Sequence, residues 1–215
     1  MIEVEHVYKR FSDLEVLRDV NLRIADGEIV AIVGKSGAGK TTLLQIIGSL
    51  DKPSAGSVKI DGVDIYQLKD KELAQFRNRH IGFIFQFHQL LPEFTAIENV
   101  MMPALIAGQK EAEAKQRAEE LLTTLGLKER LEHKPNQLSG GEKQRVAAAR
   151  AMMMHPSVIL ADEPTGSLDE KNKEELRALL TKMHSEMGQT IVLVTHDRDM
   201  AEGCDRILEI KDGKI

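Results

Sequence analysis

A glycine-rich run near the start of the chain has the residue types and spacing needed to bind phosphate groups. It fits the pattern G-x-x-x-x-G-K-[ST] and reads Gly34-Lys35-Ser36-Gly37-Ala38-Gly39-Lys40-Thr41-Thr42. Glycines let successive backbone N–H groups turn inward around an anion, and a helix that begins here adds its positive end. The pattern predicts that Lys40 reaches the β- and γ-phosphates of a nucleoside triphosphate and that the Thr41 hydroxyl ligates Mg²⁺. A chance match in a chain of this length has a probability of about one per cent, so we favour a nucleotide site over an ordinary glycine turn.

Two carboxylates further along the chain could complete such a site. Asp162 and Glu163 follow the apolar run 158–161 and therefore stand at the C-terminal end of a strand, where open α/β sheets place their ligands. Such a pair alone is more often part of a turn. After a phosphate loop, however, Asp162 is suited to hold Mg²⁺, and Glu163 is suited to orient or deprotonate the attacking water.

A histidine is predicted to join these carboxylates. His196 follows the apolar run 190–195, and the segment 158–195 reads as a strand, a helix and a second strand. The two strands of such a crossover are parallel and end at the same edge of the sheet, which places His196 near Glu163. A lone histidine after a strand is more often structural, but beside a triphosphate it could donate a hydrogen bond to the γ-phosphate.

Another motif, Ser139-Gly140-Gly141-Glu142, opens an alanine-rich helix. Ser139 and Glu142 fit the capping box S-x-x-E, which stabilises a helix start and has no further meaning by itself. The two glycines are unfavourable in a helix by about 1 kcal/mol each, and capping does not explain them. Exposed backbone amides that accept a phosphate would explain them.

The elements that must position these residues are predicted from hydrophobic patterning. Apolar and polar residues alternate over 2–8 and 20–24, which indicates an antiparallel start, and the later apolar runs indicate a mostly parallel α/β sheet. The stretch 87–137 is mostly helical, so we expect a helical subdomain inserted in the core of a single domain, 1–215.

Two smaller features complete this outline. Met183 and Met187 lie on one face of the helix that ends at Gly188, and we interpret them as core residues. The last ten residues, 206–215, are predicted to form a terminal hairpin.

Composition limits the classes of function. The 215 residues are enough for one α/β domain with a substantial core. A net charge of −5 and a pI near 5.8 give no electrostatic case for nucleic acid as a partner. No apolar run approaches the roughly 18 residues that span a bilayer, and no signal-like segment follows Met1, so we expect the chain to remain in the cytosol. The single cysteine, Cys204, permits no internal disulfide and is interpreted as an ordinary helix residue.

Taken together, the motifs resemble those of the ATP-binding cassette (ABC) ATPases over essentially the entire chain. The resemblance rests on the phosphate loop, Gln86 after a strand, Leu138-Ser139-Gly140-Gly141-Glu142, Asp162-Glu163, Ser167-Leu168-Asp169 and His196. It implies a P-loop NTPase fold with a mostly parallel, RecA-like core, an N-terminal antiparallel β subdomain and a helical subdomain that carries the signature motif. It also implies ATP and Mg²⁺ as cofactors, and ATP hydrolysis coupled to transport.

The resemblance further implies a homodimer packed head to tail. Each ATP would lie between the phosphate loop of one subunit and Ser139-Gly140-Gly141 of the other. The implied single-residue roles are α-phosphate binding by Thr42, Mg²⁺ binding by Thr41, Gln86 and Asp162, catalysis by Glu163, His196 and Gln86, and a dimer contact by Asp169.

One implied role differs from what the residue alone suggests. Phe11, which we expect in the loop after the first strand, would by itself be assigned to core packing, whereas the resemblance makes it the aromatic residue that stacks on adenine. Phe11 stands where tyrosine is commoner in the family, Glu142 where glutamine is common and Lys35 where proline is common. None of these departures removes a catalytic group.

A membrane partner is indicated by the segment 85–100. Its apolar stretch Phe87-His88-Gln89-Leu90-Leu91-Pro92 is a candidate partner contact, and the segment is most similar to the cassettes of lipoprotein-releasing transporters. That similarity would place His88 to Pro92 against integral membrane subunits at the cytoplasmic face of the inner membrane. Macrolide-export cassettes, division-signalling cassettes of the FtsE kind, and soluble ABC ATPases that act on DNA or ribosomes remain as alternatives.

Overall fold

The computed structural model describes residues 1–215 as two sheets flanked by helices. The nine strands are β1 (Ile2–Phe11), β2 (Leu14–Ile24), β3 (Ile29–Val33), β4 (Ala55–Ile60), β5 (Val63–Asp64), β6 (Ile81–Phe85), β7 (Val158–Asp162), β8 (Thr190–Val194) and β9 (Arg206–Glu209). The seven α-helices are α1 (Lys40–Ile47), α2 (Asp70–His80), α3 (Ala96–Ile106), α4 (Glu111–Thr124), α5 (Gly140–Met152), α6 (Glu170–Met187) and α7 (Arg198–Glu202). Three single-turn 3₁₀ helices cover Ile65–Gln67, Lys128–Arg130 and Pro135–Gln137. No helix combines the length and apolar character that crossing a membrane requires.

The N-terminal strands form the predicted antiparallel sheet, in the order β2-β1-β4-β5. Ile2, Val4 and Val7 of β1 are buried, as the alternating pattern requires of a sheet with one covered face. The strands are longer than predicted, and Phe11 is the last residue of β1 rather than a loop residue. The reason is that β1 and β2 stay paired up to the Phe11–Leu14 pair, across three irregularities in register.

The second sheet has the order β6-β7-β8-β3-β9, and all its strand pairs are parallel. The predicted crossover between β7 and β8 is confirmed, with Asp162 opposite Val194 at their C-terminal ends. The predicted terminal hairpin is wrong, because β9 pairs with β3 at the sheet edge and only a single bridge joins Lys211 to Lys214. The α/β fold class is confirmed.

Two apolar cores lie against the faces of the parallel sheet, and alternate strand residues belong to different cores. Ile191 and Leu193 of β8 pack with α3, α4, α5 and α6, whereas Val192 and Val194 pack with α1 and the antiparallel sheet. Both faces of the sheet are therefore covered, as in other parallel sheets.

The long helix α6 corrects one core assignment. Met183 is buried, as predicted, but Met187 is 55% exposed. Met187 is the last residue of α6, next to the left-handed cap at Gly188, and it lies beyond the helix residues Leu176, Leu180 and Met183 that reach the core.

Candidate active site

The phosphate loop connects the buried strand β3 to α1 and is stabilised by its own backbone and one lysine. Lys40 is buried, and its Nζ donates hydrogen bonds to the carbonyl oxygens of Gly34 at 2.8 Å and Lys35 at 3.1 Å. Gly39 has φ of +104°, and a Cβ there would come within 2.8 Å of Leu17. Two independent constraints therefore require glycine at this position.

The N-terminus of α1 is open to an anion. No side chain caps this helix, and the backbone N–H groups of Lys40, Thr41 and Thr42 have no hydrogen-bond acceptor within the chain. Unsatisfied N–H groups and the positive end of the helix dipole both favour a phosphate at this position. The arrangement can therefore bind the phosphates of a nucleotide.

The carboxylate of Asp162 lies beside the phosphate loop. The Thr41 hydroxyl donates a hydrogen bond to its Oδ1 at 3.1 Å, across the edge where β7 and α1 meet. Burial raises the pKa of the Asp162 carboxyl above its ordinary value, and the charge of Glu163 adds to this rise. The hydrogen bond from Thr41 and the charge of Lys40 oppose it. A partly buried carboxylate with a hydroxyl beside it is a suitable donor set for a hard cation.

Glu163 and His196 are in direct contact, which confirms the placement that the crossover predicts. The Nδ1 atom of His196 lies 2.7 Å from Oε2 of Glu163, and the His196 backbone N–H donates to the same oxygen at 3.2 Å. Glu163 has φ of +45°, unusual for a residue with a side chain, and its N–H donates to the carbonyl of Val194 at 2.9 Å. The parallel ends of β7 and β8 thus position a carboxylate and an imidazole at the sheet edge that also carries the phosphate loop.

Gln86 lies at the same edge, directly after β6. Its carbonyl oxygen accepts a hydrogen bond from the Ser167 hydroxyl at 3.0 Å. A Cβ on Gly166 would come within 2.6 Å of the Gln86 amide nitrogen, so the Gln86 side chain lies against the loop that follows β7. Its neighbour Phe85 pairs with Asp162 in the sheet.

The motif Ser139-Gly140-Gly141 makes no hydrogen bond to the phosphate loop of its own chain. Ser139 and Glu142 form the predicted capping box, with hydrogen bonds of 3.2 and 2.8 Å. A Cβ on Gly141 would overlap the side-chain amide of Asn172 on α6, whereas a Cβ on Gly140 would meet only Leu168, at 3.7 Å. Helix packing therefore explains Gly141, a cause that sequence reasoning missed.

Two further residues of the implied site have local structural partners. Asp169 caps α6 by accepting the N–H of Asn172 at 2.9 Å. Phe11 is half-exposed rather than buried in the core, and the Lys9 ammonium lies 4.7 Å from its ring centroid. The ring of Phe11 is therefore available at the surface, and its assignment to the core is wrong.

The loop between β6 and α3, residues 86–95, exposes apolar side chains unevenly. Phe87 is 71% exposed and Leu91 40%, whereas Leu90 packs against the apolar core and His88 is half-buried. Asn99, which sequence reasoning missed, is fully buried, and its side chain hydrogen-bonds the carbonyls of Leu91, Phe94 and Thr95 and the N–H of Leu91.

Comparison with known proteins identifies the family to which this site belongs. Residues 17–166 match the ABC transporter family. The chain belongs to this family. The dimeric structure of the bacterial ABC transporter cassette MJ0796 superposes with a TM-score of 0.92 at 45% identity, covering 100% of this chain and 96% of that one. A dimeric post-hydrolysis state of MJ0796 bound to ADP and Pi superposes with a TM-score of 0.91 at 44% identity, with the same coverage. This chain is thus an ABC ATPase, as the motifs predict.

Individual relatives show which kinds of ABC transporter the chain resembles. The lipoprotein-releasing system ATP-binding protein LolD of Bacteroides fragilis is 59% identical over 215 residues, covering 100% of both chains. LolD of Porphyromonas gingivalis is also 59% identical, over 100% of this chain and 98% of the relative. The macrolide export ATP-binding/permease protein MacB of a Shewanella species is 55% identical over 100% of this chain, which corresponds to 33% of that protein. The predicted similarity to lipoprotein-releasing and macrolide-export cassettes is confirmed.

Proposed function

We propose that this chain is the ATP-hydrolysing subunit of a membrane transporter that releases lipoproteins. The observation that carries the proposal is the 59% identity to LolD proteins over the full chain. A macrolide exporter is the second candidate, favoured by the 55% identity to MacB. The ABC ATPase chemistry is common to both.

ATP binds with its phosphates at the N-terminus of α1. Lys40 exchanges its contacts with the loop carbonyls for the β- and γ-phosphate oxygens, and the amides of the phosphate loop, 34–42, surround the anion. Thr42 contacts the α-phosphate, and the exposed ring of Phe11 stacks on adenine.

The residues beside the phosphates fit Mg²⁺. Thr41 and Asp162 supply a hydroxyl and a carboxylate 3.1 Å apart, and Gln86 supplies an amide oxygen from the neighbouring strand end. Bound Mg²⁺ would neutralise charge on the β- and γ-phosphate oxygens. The raised pKa of Asp162 reflects the cost of burying its charge, which a cation would offset.

In hydrolysis a water oxygen attacks the γ-phosphorus. At the same time the bond between the γ-phosphorus and the oxygen that leaves with ADP breaks. Only Oε2 of Glu163 accepts hydrogen bonds from His196, so Oε1 is free to take the proton that the water loses. His196 can donate to a γ-phosphate oxygen through Nε2. If Nδ1 also stays bonded to Glu163, the ring carries a proton on both nitrogens.

Two copies of the chain complete two sites in a two-fold dimer. Ser139, Gly140 and Gly141 of one subunit face the γ-phosphate held by the other, and Asp169 lies at the dimer contact. Dimeric MJ0796 structures support this assembly. Within each subunit, residues 1–215 act as a single domain with the helical subdomain 87–137 inserted in it.

The membrane subunits contact the β6–α3 loop and an adjoining groove of about 480 Å³ between the core and the helical segment. Apolar residues of the groove include Leu50, Phe83, Pro103 and Ile106. The MacB relatives, named as ATP-binding/permease proteins, carry such a cassette within one chain, which supports a permease partner at the cytoplasmic face of the inner membrane. The contact comprises His88 to Pro92 together with Phe87, which belongs to the same apolar stretch and is the most exposed apolar residue of the loop.

The Glu163→Gln variant tests the ATPase assignment. We expect ATP binding to persist, hydrolysis to fall about 10²- to 10⁴-fold, and an ATP-bound dimer to accumulate, because the amide cannot take the water's proton. Phosphate release and size-exclusion chromatography with ATP measure these effects. Glu174→Gln, which removes a carboxylate on the exposed face of α6, is the control. Hydrolysis at the normal rate would remove Glu163 from this role.

The same variant also tests whether the transported molecules are lipoproteins. We expect two membrane subunits and lipidated proteins to co-purify with Glu163→Gln from detergent-solubilised membranes with ATP and Mg²⁺, as mass spectrometry would show. Recovery of a single division-associated membrane protein, of macrolide-export components or of ribosomes would leave the ATPase chemistry intact and contradict lipoprotein release.

A further inference from the structure

The β6–α3 loop has a backbone conformation that its own residues do not favour. His88 and Gln89 have φ of +56° and +51°, in the left-handed region where residues with side chains are uncommon. Histidine enters this region more readily than most residues, but glutamine has no such preference, and two successive residues remain there only where the surroundings impose it. The contacts that impose it come from α5.

Arg150 on α5 bonds both strained residues. Its Nη1 donates to the carbonyl oxygen of Gln89 at 2.6 Å, and its Nη2 donates to that of His88 at 2.8 Å. One turn and a half earlier on the same helix, buried Gln144 donates to the carbonyl oxygen of Phe85 at 3.4 Å. Side chains of α5 thus hold three carbonyl groups between the end of β6 and the middle of the loop.

The guanidinium of Arg150 has no carboxylate partner. It takes part in no ion pair, and burial lowers its pKa from the ordinary value. Arg145, on the same helix, instead pairs with the carboxylate of Glu175 at the surface. The side chain of Arg150 is partly exposed, and its fork of donors faces two backbone carbonyls rather than a carboxylate, which points to a positioning role.

The position of Arg150 on α5 indicates what it connects. The helix begins at Gly140 and reaches Arg150 three turns later, a rise of about 15 Å. Its N-terminal end carries the glycines that the proposed dimer presents to ATP, and its C-terminal half holds the loop that the proposed membrane subunits touch. A rigid helix held at both ends transmits displacement from one to the other.

We propose that Arg150 is a positioning residue that ties the β6–α3 loop to α5, so that the loop and the turn 139–141 move together. The tie itself is independent of the proposed function, whereas the coupled motion rests on it. The planar fork of arginine suits two carbonyls side by side, and a lysine ammonium would satisfy them less well.

A spin label on the loop tests the tie without nucleotide. The single cysteine is removed by Cys204→Ser, and Phe87→Cys then gives one exposed attachment site on the full chain. We expect Arg150→Gln to raise the mobile fraction of the label about tenfold, because two charge-assisted hydrogen bonds are lost. Arg145→Gln is the matched control on the same helix and should leave the spectrum unchanged.

A conservative variant guards against a simple folding defect. Arg150→Lys retains the charge and a donor, so it should give a mobile fraction between those of the parent and Arg150→Gln. Equal label mobility in the parent, Arg150→Lys and Arg150→Gln chains would overturn the tie. Equal increases in Arg145→Gln and Arg150→Gln would overturn it too, since general loosening of α5 would then explain both.

ATP then tests the coupled motion in the Glu163→Gln background. We expect ATP to change the label spectrum when Arg150 is present and to leave it unchanged in Arg150→Gln, with equal ATP affinity in the two chains. An equal spectral change in both, or bound ATP without a change in either, would overturn the coupling. Loss of ATP binding by the parent chain itself would contradict the proposed function, while the nucleotide-free spectra would still decide the tie.

Discussion

Two loops at the same edge of the parallel sheet are stabilised in different ways. The phosphate loop adopts its conformation through glycines and through Lys40, all within nine residues of sequence. The β6–α3 loop is held by Arg150 and Asn99, from helices that follow it in the chain. A loop that binds a fixed chemical group can carry its own constraints, whereas a loop that responds to a partner must be tied to the element it moves.

The residues at positive φ show the same difference. Gly39 takes a left-handed conformation without steric cost and leaves room for Leu17. His88 and Gln89 also have positive φ, at a cost that side-chain contacts offset. We therefore expect substitutions in the phosphate loop to change ligand affinity first and substitutions in or under the β6–α3 loop to change stability and coupling first.

The largest effect is expected for Lys40→Ala. The variant loses the buried ammonium that contacts the phosphates, and nucleotide affinity should fall at least about a hundredfold, because each charged hydrogen bond contributes about 1.5–3 kcal/mol. Thermal stability without nucleotide should fall by less than is expected below for a core residue, since the glycines and the start of α1 still define the loop after the two Lys40 hydrogen bonds are lost. Isothermal titration with ATP and a melting curve measure the two quantities.

Lys52→Ala is the control for this prediction, because the Lys52 side chain is exposed and lies 4.0 Å from an exposed carboxylate. Unaltered ATP affinity in Lys40→Ala would contradict the phosphate-loop assignment. A loss of stability as large as that expected below for a core residue would show instead that Lys40 is needed to fold the loop. Substitutions in the two loops would then not differ in whether they change affinity or stability first.

A pair of neighbouring leucines separates stability from partner binding in the second loop. Leu90→Asp should destabilise the chain by about 2–4 kcal/mol, because Leu90 packs against the core and an aspartate there would be buried without a partner. Leu91→Asp, at a 40% exposed side chain, should change stability by less than about 1 kcal/mol and spare ATP hydrolysis by the isolated chain, yet weaken membrane-subunit binding. Urea denaturation and co-purification test the two expectations.

Equal destabilisation by both leucine substitutions would mean that the loop is a structural unit with no surface reserved for a partner. Persistence of partner binding in Leu91→Asp would remove that side chain from the contact. From sequence alone the two leucines are equivalent members of an apolar stretch, and the structure is what distinguishes them.

Sequence reasoning succeeded where a local pattern determines where a residue lies in the fold. Strand periodicity and crossover geometry were enough to place His196 beside Glu163, at a distance found to be 2.7 Å. It failed where the outcome depends on a residue distant in the chain. The pairing of β9 with β3 depends on which sheet edge is free, and the glycine at 141 depends on Asn172 of another helix.

The contacts of Arg150 also depend on residues distant in the chain, so sequence reasoning could not predict them. Its type and position in an alanine-rich helix are compatible with an exposed side chain, and nothing nearby in sequence indicates that His88 and Gln89 take left-handed conformations. The ties of the β6–α3 loop therefore become visible only when the helices are assembled.

The smallest effect concerns the cost to folding stability of ionising Asp162. Burial raises the pKa of Asp162 in the folded chain above its unfolded value, so ionisation of this carboxyl opposes folding. The penalty is absent below the unfolded pKa, grows as pH rises through the folded pKa and is complete above it. Asp162→Asn, which keeps an oxygen for the Thr41 hydroxyl, should therefore raise the melting temperature at pH 7 more than at pH 4.

Differential scanning calorimetry of the nucleotide-free chain at the two pH values measures this difference, with Asp199→Asn at the exposed start of α7 as the control. An Asp162→Asn effect that is equal at both pH values would show that ionisation of this carboxyl costs nothing. The expected result would mean that the ionised carboxyl of Asp162 lowers the stability of the nucleotide-free chain, a cost that a cation bound together with the nucleotide would offset. The β6–α3 loop, by contrast, is strained against contacts with α5 that form without any ligand.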